Sequence, residues 1–256
     1  MKLFKRYCEF NIAGRVLTSP PFTLEFKTEF SVTSSNQTTA VMYNPSDATI
    51  EACEKKKGQN ALIIIDAGYV EDYGTCVTGE IIKYEVEKGI DKILTMTIAD
   101  KTSLWASAVV NKSWKGEISA EDVIKNILDE YGITPAKIDL GVNKIYSRGI
   151  SFSGTPLRSA MKRLESDVKA NFFFKNGLAY FLKEQSGTSS AFYLSPTTGL
   201  LSAKKTDKGF RIKTLFLYQI GAGSLVEIDG KGLFKVVAGE HRFASRGTAE
   251  SEFDVI

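Results

Sequence analysis

The sequence predicts an α+β protein that is mostly β, with a β module at each end and a small α/β region between them. Three observations carry that prediction. Gly199, Gly209, Gly221, Gly223, Gly230 and Gly232 punctuate runs rich in β-branched and aromatic residues, at the spacing of a small barrel or sandwich. Residues 22–32 alternate apolar and polar side chains, the period of a half-buried strand. The clearest capped amphipathic helices both fall in the middle of the chain. The implied division is 1–100, 101–190 and 191–256.

In chain order, Phe22, Leu24 and Phe26 face a core, followed by Phe30 and Val32 after a slip in phase that suggests a bulge or a strand end. Pro45 to Gly58 reads as a short helix capped by Asn44 or Ser46, closed by Lys55-Lys-Lys57, where cations complement the helix dipole. Strands follow at 61–67, 73–86 and 92–99. Ser119-Ala-Glu-Asp122 is a capping box ahead of Val123, Ile124, Ile127, Leu128 and Tyr131, which share one face until Gly132 stops the helix. Thr155 caps a second helix opened by Pro156, with Leu157, Ala160, Met161 and Leu164 on its buried side. Asn176-Gly177, between two aromatic-rich strands over 171–182, is the strongest short hairpin signal. In the last module, strands over 211–217 and 225–228 flank Gly221-Ala-Gly223, which reads as a hairpin turn.

The chain has 256 residues, 43% of them hydrophobic and 25% charged, as in an ordinary globular protein. Its net charge of +3 is too small to argue for a nucleic-acid or membrane surface without clustering. Cys8, Cys53 and Cys76 are an odd number without repeat spacing, which argues for reduced, mostly buried thiols over disulfides or zinc. The longest apolar run, Ala61 to Ile65, is cut off by Asp66, far short of a membrane span. The basic start, Met1 to Arg6, leads into Tyr-Cys-Glu-Phe-Asn and so lacks a signal peptide's apolar region, and folding in a cytoplasm is expected.

Catalytic patterns are weak. His241 is the only histidine, far in sequence from every cysteine, and reads as a structural residue of a Gly-Glu-His-Arg turn. No metal or cofactor is expected, since one histidine cannot supply ordinary zinc or non-haem iron ligation. The carboxylate pairs Glu71-Asp72, Glu121-Asp122 and Asp129-Glu130 fit helix starts or solvated turns. Gly221-Ala-Gly223 leads into a strand, so it offers no helix N-terminus for a phosphate. Phe172-Phe-Phe174 with Lys175 reads as core packing more than as a base-stacking platform.

An ordered series of motifs resembles the baseplate hub proteins of phage tails, of the phage Mu type. It runs from Phe152-Ser-Gly-Thr-Pro-Leu157 through the Asn176-Gly177 hairpin, Ser195-Pro-Thr-Thr-Gly-Leu-Leu201, Asp207-Lys-Gly-Phe210 and Gly223-Ser-Leu-Val-Glu-Ile228 to Gly232-Leu-Phe-Lys-Val-Val-Ala-Gly-Glu-His241. It covers Ser151 to the end well and the first hundred residues only in outline. The resemblance implies two tube-type β-barrel modules per chain and no enzymatic activity. It further implies a homotrimer forming a pseudo-sixfold ring in the virion baseplate, assembled in the host cytoplasm, that adapts the tail tube or distal tail protein to a central spike. DNA would cross its lumen without sequence-specific binding.

Arg211, Lys213, Arg242 and Arg246 are the candidate interface or lumen residues, alongside the strands flanking Gly209 and Gly221 and the Lys55 helix end. The alternative is a nucleic-acid-binding β-barrel, in which those four residues join Lys231 and Lys235 in a basic stripe.

Overall fold

A computed structural model describes residues 5–34, 36–54, 58–100 and 102–256; the Lys55–Lys57 run and the first four residues of the basic start lie outside them. The N-terminal part contains β1 (Arg6–Ile12), β2 (Arg15–Ser19), β3 (Leu24–Ser31), β4 (Gln37–Tyr43), α1 (Asp47–Ala52), β5 (Leu62–Tyr69), β6 (Asp72–Lys88) and β7 (Lys92–Ala99). The middle holds α2 (Thr102–Ser107), β8 (Val109–Trp114), β9 (Ile118–Ser119), α3 (Ala120–Glu130), β10 (Pro135–Asp139), β11 (Ile145–Tyr146), β12 (Ile150–Pro156), α4 (Leu157–Val168), β13 (Asn171–Lys175) and β14 (Leu178–Leu182). The C-terminal part has β15 (Phe192–Leu194), a 3-10 turn at Pro196–Thr198, β16 (Leu200–Lys205), β17 (Phe210–Leu215), β18 (Leu225–Ile228), β19 (Gly232–Ala244) and β20 (Ala249–Val255). The protein is thus mostly β.

The strands of the two ends form one hydrogen-bonded path, β16-β17-β20-β19-β3-β4-β7-β6-β5-β1-β2, with β18 beside β19 and β15 beside β18. The modules meet where β3 runs antiparallel to β19, from Ser31 opposite Ala238 to Glu25 opposite Ala244. Behind this sheet lie two apolar clusters. One gathers Phe10, Ile12, Leu24, Phe26, Ile63, Leu94 and Met96 but also takes Phe216 and Phe243 from the far end of the chain. The other gathers Ile212, Val226, Val236 and Phe253 but takes Phe30 and Val32 from β3's end and Phe173 from the middle. Each β module therefore completes the core of the other.

A third cluster belongs to the middle region, where α3 and α4 bury Val123, Ile124, Ile127, Leu157, Met161 and Leu164. The hairpin of β13 and β14 turns at Asn176 and Gly177, both at positive φ (52° and 76°), as a two-residue turn with matching twist requires. Its tip is wedged between the two β modules. Asn176 Nδ2 donates to Thr75 O of β6 at 3.0 Å, and Lys175 Nζ donates to Ser224 Oγ at 3.0 Å and Gln219 O at 3.2 Å. Burial lowers the Lys175 ammonium to about 8. Phe173 and Phe174 are buried, in the C-terminal and middle cores respectively.

Several expectations are corrected in detail. Alternation through β3 never slips: Thr28 holds the inward position between Phe26 and Phe30, and both ladders run without a register shift. Helix α1 ends at Ala52, well before Gly58, because Cys53 already closes its last turn; Ser46 is its cap. Thr155 caps nothing; it pairs with Val110 as β12 runs straight into α4, and Pro156 holds the cap position. Gly221-Ala-Gly223 is no hairpin turn, since β18 pairs with β15 and β19 and leaves β17 to β16 and β20. It lies in a buried loop against Lys175.

His241 lies in the middle of β19, away from any turn. It belongs to a row of buried polar residues that crosses five adjacent strands, Thr38, Thr28, His241, Ser251 and Thr214, in register. Thr38 Oγ1 donates to Thr28 Oγ1 at 2.6 Å. His241 Nε2 lies 2.8 Å from Ile220 O, which can only accept, so Nε2 carries the proton and Nδ1 accepts from Ser251 Oγ at 2.7 Å. With Phe30 and Phe216 against its ring, the neutral imidazole is the form that fits.

Phe26 stacks on Phe243 and meets Phe216 edge-on, so Phe26→Ala should lower stability in urea unfolding by about 3–5 kcal/mol, the usual range for a buried phenylalanine. Burial pushes His241 from 6.5 down to about 4, so the unfolded chain binds more protons between those values. The stability contributed by the neutral ring is complete above pH 6.5 and is lost as pH falls towards 4, by roughly 3 kcal/mol at 1.36 kcal/mol per unit. The gap between wild type and His241→Gln should therefore narrow over that window; a constant gap would mean the ring is not held neutral.

Candidate interaction face

Eight strands in the order β6-β7-β4-β3-β19-β20-β17-β16 form a row whose inner side covers the cores and whose outer side is polar. Alternation dictates which residues face out. One cross-strand line holds Glu29, Glu240, Glu252 and Lys213, a second holds Lys27, Arg242 and Glu250, and a third holds Asp254, Arg211 and Lys204. Towards β6 the same face continues through Gln37, Thr39, Thr95 and Thr97 to Lys83 and Glu85, so its centre is neutral and hydroxyl-rich.

On β3, β19, β20 and β17 the cations of this face are paired. Arg211 forms a fork on Asp254, with both contacts at 2.8 Å. Lys213 meets Glu250 at 2.8 Å, Arg242 meets Glu240 at 2.5 Å, and Lys27 lies between Glu29 at 2.8 Å and Glu240 at 3.0 Å. The carboxylates beside them hold Arg211 and Lys27 above their ordinary values. Each exposed pair adds at most about 1 kcal/mol, yet together they fix the side chains and cancel the positive field. Over β3, β19, β20 and β17 this face carries Glu25, Glu29, Glu240, Glu250, Glu252 and Asp254 against Lys27, Arg242, Arg211 and Lys213. It is net acidic.

Of the four sequence candidates, Arg211, Lys213 and Arg242 come together here, and Arg246 does not: it sits in the exposed turn between β19 and β20, past the end of the ladder. Lys235 is buried and donates to Lys183 O at 2.8 Å, and Lys231 lies over the Phe210 ring. The structure thus builds no continuous basic stripe from these six residues. Sequence reasoning missed the acids that answer them. Alternation in Ala249-Glu-Ser-Glu-Phe-Asp-Val255 is the signal for Glu250, Glu252 and Asp254, and Glu240 stands two residues before Arg242 on its own strand.

Other chemistry is sparse. Lys175, His241 and Asp100 line a narrow cavity where the three parts of the chain meet. Burial raises the Asp100 carboxyl to about 7, and it accepts from Asn36 Nδ2 at 2.7 Å. The two basic groups are likewise held by the structural partners given above, which leaves no nucleophile and base aimed at a common point. Cys8 and Cys53 are buried thiols that burial makes less acidic, and so unreactive. Among the described residues no three His, Cys, Asp or Glu side chains gather as a metal site, and no helix is long and apolar enough to cross a membrane.

No protein-family model and no curated protein matches the chain. Solved structures do. A 43 kDa tail protein of prophage MuSo2 from Shewanella oneidensis superposes with a TM-score of 0.70 at 10% identity, over 98% of each chain. A tail protein of Neisseria meningitidis MC58 gives 0.69 at 10% identity, over 98% of this chain and 96% of that one. A type VI secretion component of E. coli, described as structurally similar to the T4 tail proteins gp27 and gp5, gives 0.67 at 12% identity, over 91% and 73%. Two β modules fused edge to edge around a small α/β region are therefore the fold this chain shares with phage tail proteins.

Proposed function

We propose that the protein is a structural hub of a phage tail or tail-like particle. In this reading it is not an enzyme, it resides in the baseplate of the virion, and three copies close into a ring joining the tail tube or distal tail protein to a central spike. The observation that carries the proposal is the eight-strand row with its single polar face. Four of its strands come from each β module, so one chain supplies two comparable arcs and three chains imitate sixfold symmetry. At about 4.8 Å per strand, twenty-four strands give a backbone circle of about 115 Å, or about 37 Å across. Side chains of roughly 5 Å on each wall leave a bore of about 27 Å, which strand tilt widens further.

Charge supports the same role. A wall that must let DNA slide should hydrate well and offer no run of unpaired cations, since clustered Lys and Arg release counterions and bind phosphate. The paired, acid-rich face meets that requirement.

Light scattering on the purified chain should give the mass of three copies; a single-chain mass at every concentration would count against the ring. Wild type should leave a short labelled oligonucleotide unbound at low micromolar protein in about 0.15 M salt. The triple variant Glu250→Gln, Glu252→Gln, Asp254→Asn, which frees Arg211 and Lys213, should gain salt-sensitive binding. Equal binding by both proteins would favour a nucleic-acid-binding barrel.

A further inference from the structure

The two ends of the eight-strand row are free edges. Beyond Ile81, β6 has β7 on one side and no ladder partner on the other among the described residues, because β5 pairs only with Asp72 to Glu80. β16 likewise pairs with β17 alone. An unprotected edge is a template for another strand.

The hydrogen-bond pattern fixes which amides each edge presents. In the β16–β17 hairpin Thr206 N bonds Gly209 O, so by the antiparallel alternation Lys204 and Ser202 turn their backbone groups towards β17. Ala203 and Lys205 therefore turn theirs outward. On the other edge, Asn44 N bonds Lys92 O, so Lys92 turns towards β4 and its partner Lys88 is not bonded to β7. Alternation then turns the amides of Tyr84, Val86 and Lys88 outward. On both edges the outward amides belong to residues whose side chains lie on the core side of the sheet. That agreement matters, because opposed residues of two strands share one face. Had one edge presented polar-face amides, no register could have joined them without putting core side chains against the bore.

We infer that β6 of one copy pairs antiparallel with β16 of the next, in the register that sets Glu85 opposite Lys204. This register puts Val86 against Ala203 on the core side and Glu87 against Ser202 on the polar side. The seven residues from Ile82 to Lys88 match the six from Leu200 to Lys205 in length. Every ladder in the row is antiparallel and the strand number is even, so β16 and the next copy's β6 run in opposite directions when copies are related by rotation about the ring axis. The contact is head-to-tail, the type that closes rings.

This inference rests on the ring proposed above, and the experiment separates the two. Glu85 and Lys204 would form a non-hydrogen-bonded pair with Cα atoms about 4.5 Å apart, within reach of a disulfide. The double variant Glu85→Cys, Lys204→Cys should oxidise to a species of three covalently joined chains, visible without reductant, while neither single variant does. Val86→Pro removes an outward N–H that the isolated chain does not use, so it should remain folded with a cooperative unfolding transition while its mass shifts from three chains to one. A three-chain mass without cross-link, untouched by Val86→Pro, would overturn the edge pairing and leave the ring standing. A single-chain mass for wild type, with no cross-link in the double variant, would overturn both.

Discussion

The pairing of β3 with β19 is the constraint on which the rest of the structure depends. It joins residues more than two hundred positions apart in sequence, and it fuses what would otherwise be two small β modules into one surface. Neither module can bury its apolar residues without it. Phe216 and Phe243 complete the N-terminal core, and Phe30 and Val32 complete the C-terminal one, so separating the modules would strip large aromatics from both. Such long-range pairing is slow to form, since the loop must close before the contacts reward it. Once made, it leaves the modules little freedom to move against each other.

The row Thr38, Thr28, His241, Ser251, Thr214 explains why this shared sheet covers two cores instead of one. Inward polar groups crossing five strands interrupt the apolar layer, and the aromatic clusters lie on either side. Most of these groups are satisfied within the row or by the loop carrying Leu217 and Ile220, so the interruption costs little while fixing register. A slip of one residue between β3 and β19 would turn His241 outward and bury Arg242 or Glu240. The register that satisfies the histidine is also the one that assembles the ion-paired outer face.

Much of this architecture was legible in the sequence, where the signal was local. The strands at 62–69, 72–88 and 92–99, the α3 capping box and the Asn176-Gly177 turn each follow from periodicity or turn chemistry within a dozen residues. Errors arose where tertiary context decided. Thr28 looked like a break in phase because its buried partner, Thr38, lies on another strand. Gly221 and Gly223 looked like a hairpin turn because nothing local shows that β18 belongs beside β15. Alternation puts Arg211 and Lys213 on one face, as the structure has them, whereas Arg242, expected in a turn with Arg246, lies within β19 and joins that face only through its pairing with Glu250. The neutralisation of Lys213 by Glu250 and of Arg211 by Asp254 depends on cross-strand neighbours that single-strand alternation does not reveal, whereas Glu240 answers Arg242 from two residues away on the same strand.

In the proposed ring, curvature would decide whether the head-to-tail sheet closes or grows into a filament, and the ladder irregularities lie where they would supply it. Bulges interrupt β6 at Ile81–Lys83, β19 at Val236–Ala238 and β16 at Leu200–Ser202: one at each free edge and one beside the seam. A bulge bends its strand and increases the local twist. At the central one, Gly239 lies so close to β20 that a Cβ there would stand 2.5 Å from that of Phe253, so glycine lets the two strands approach beside the bulge. A flat row with the same edges would invite open-ended stacking. In the proposed ring, bending at both margins and at the join would give each copy a fixed arc, so that backbone geometry within one chain would set the number of copies that closes the circle.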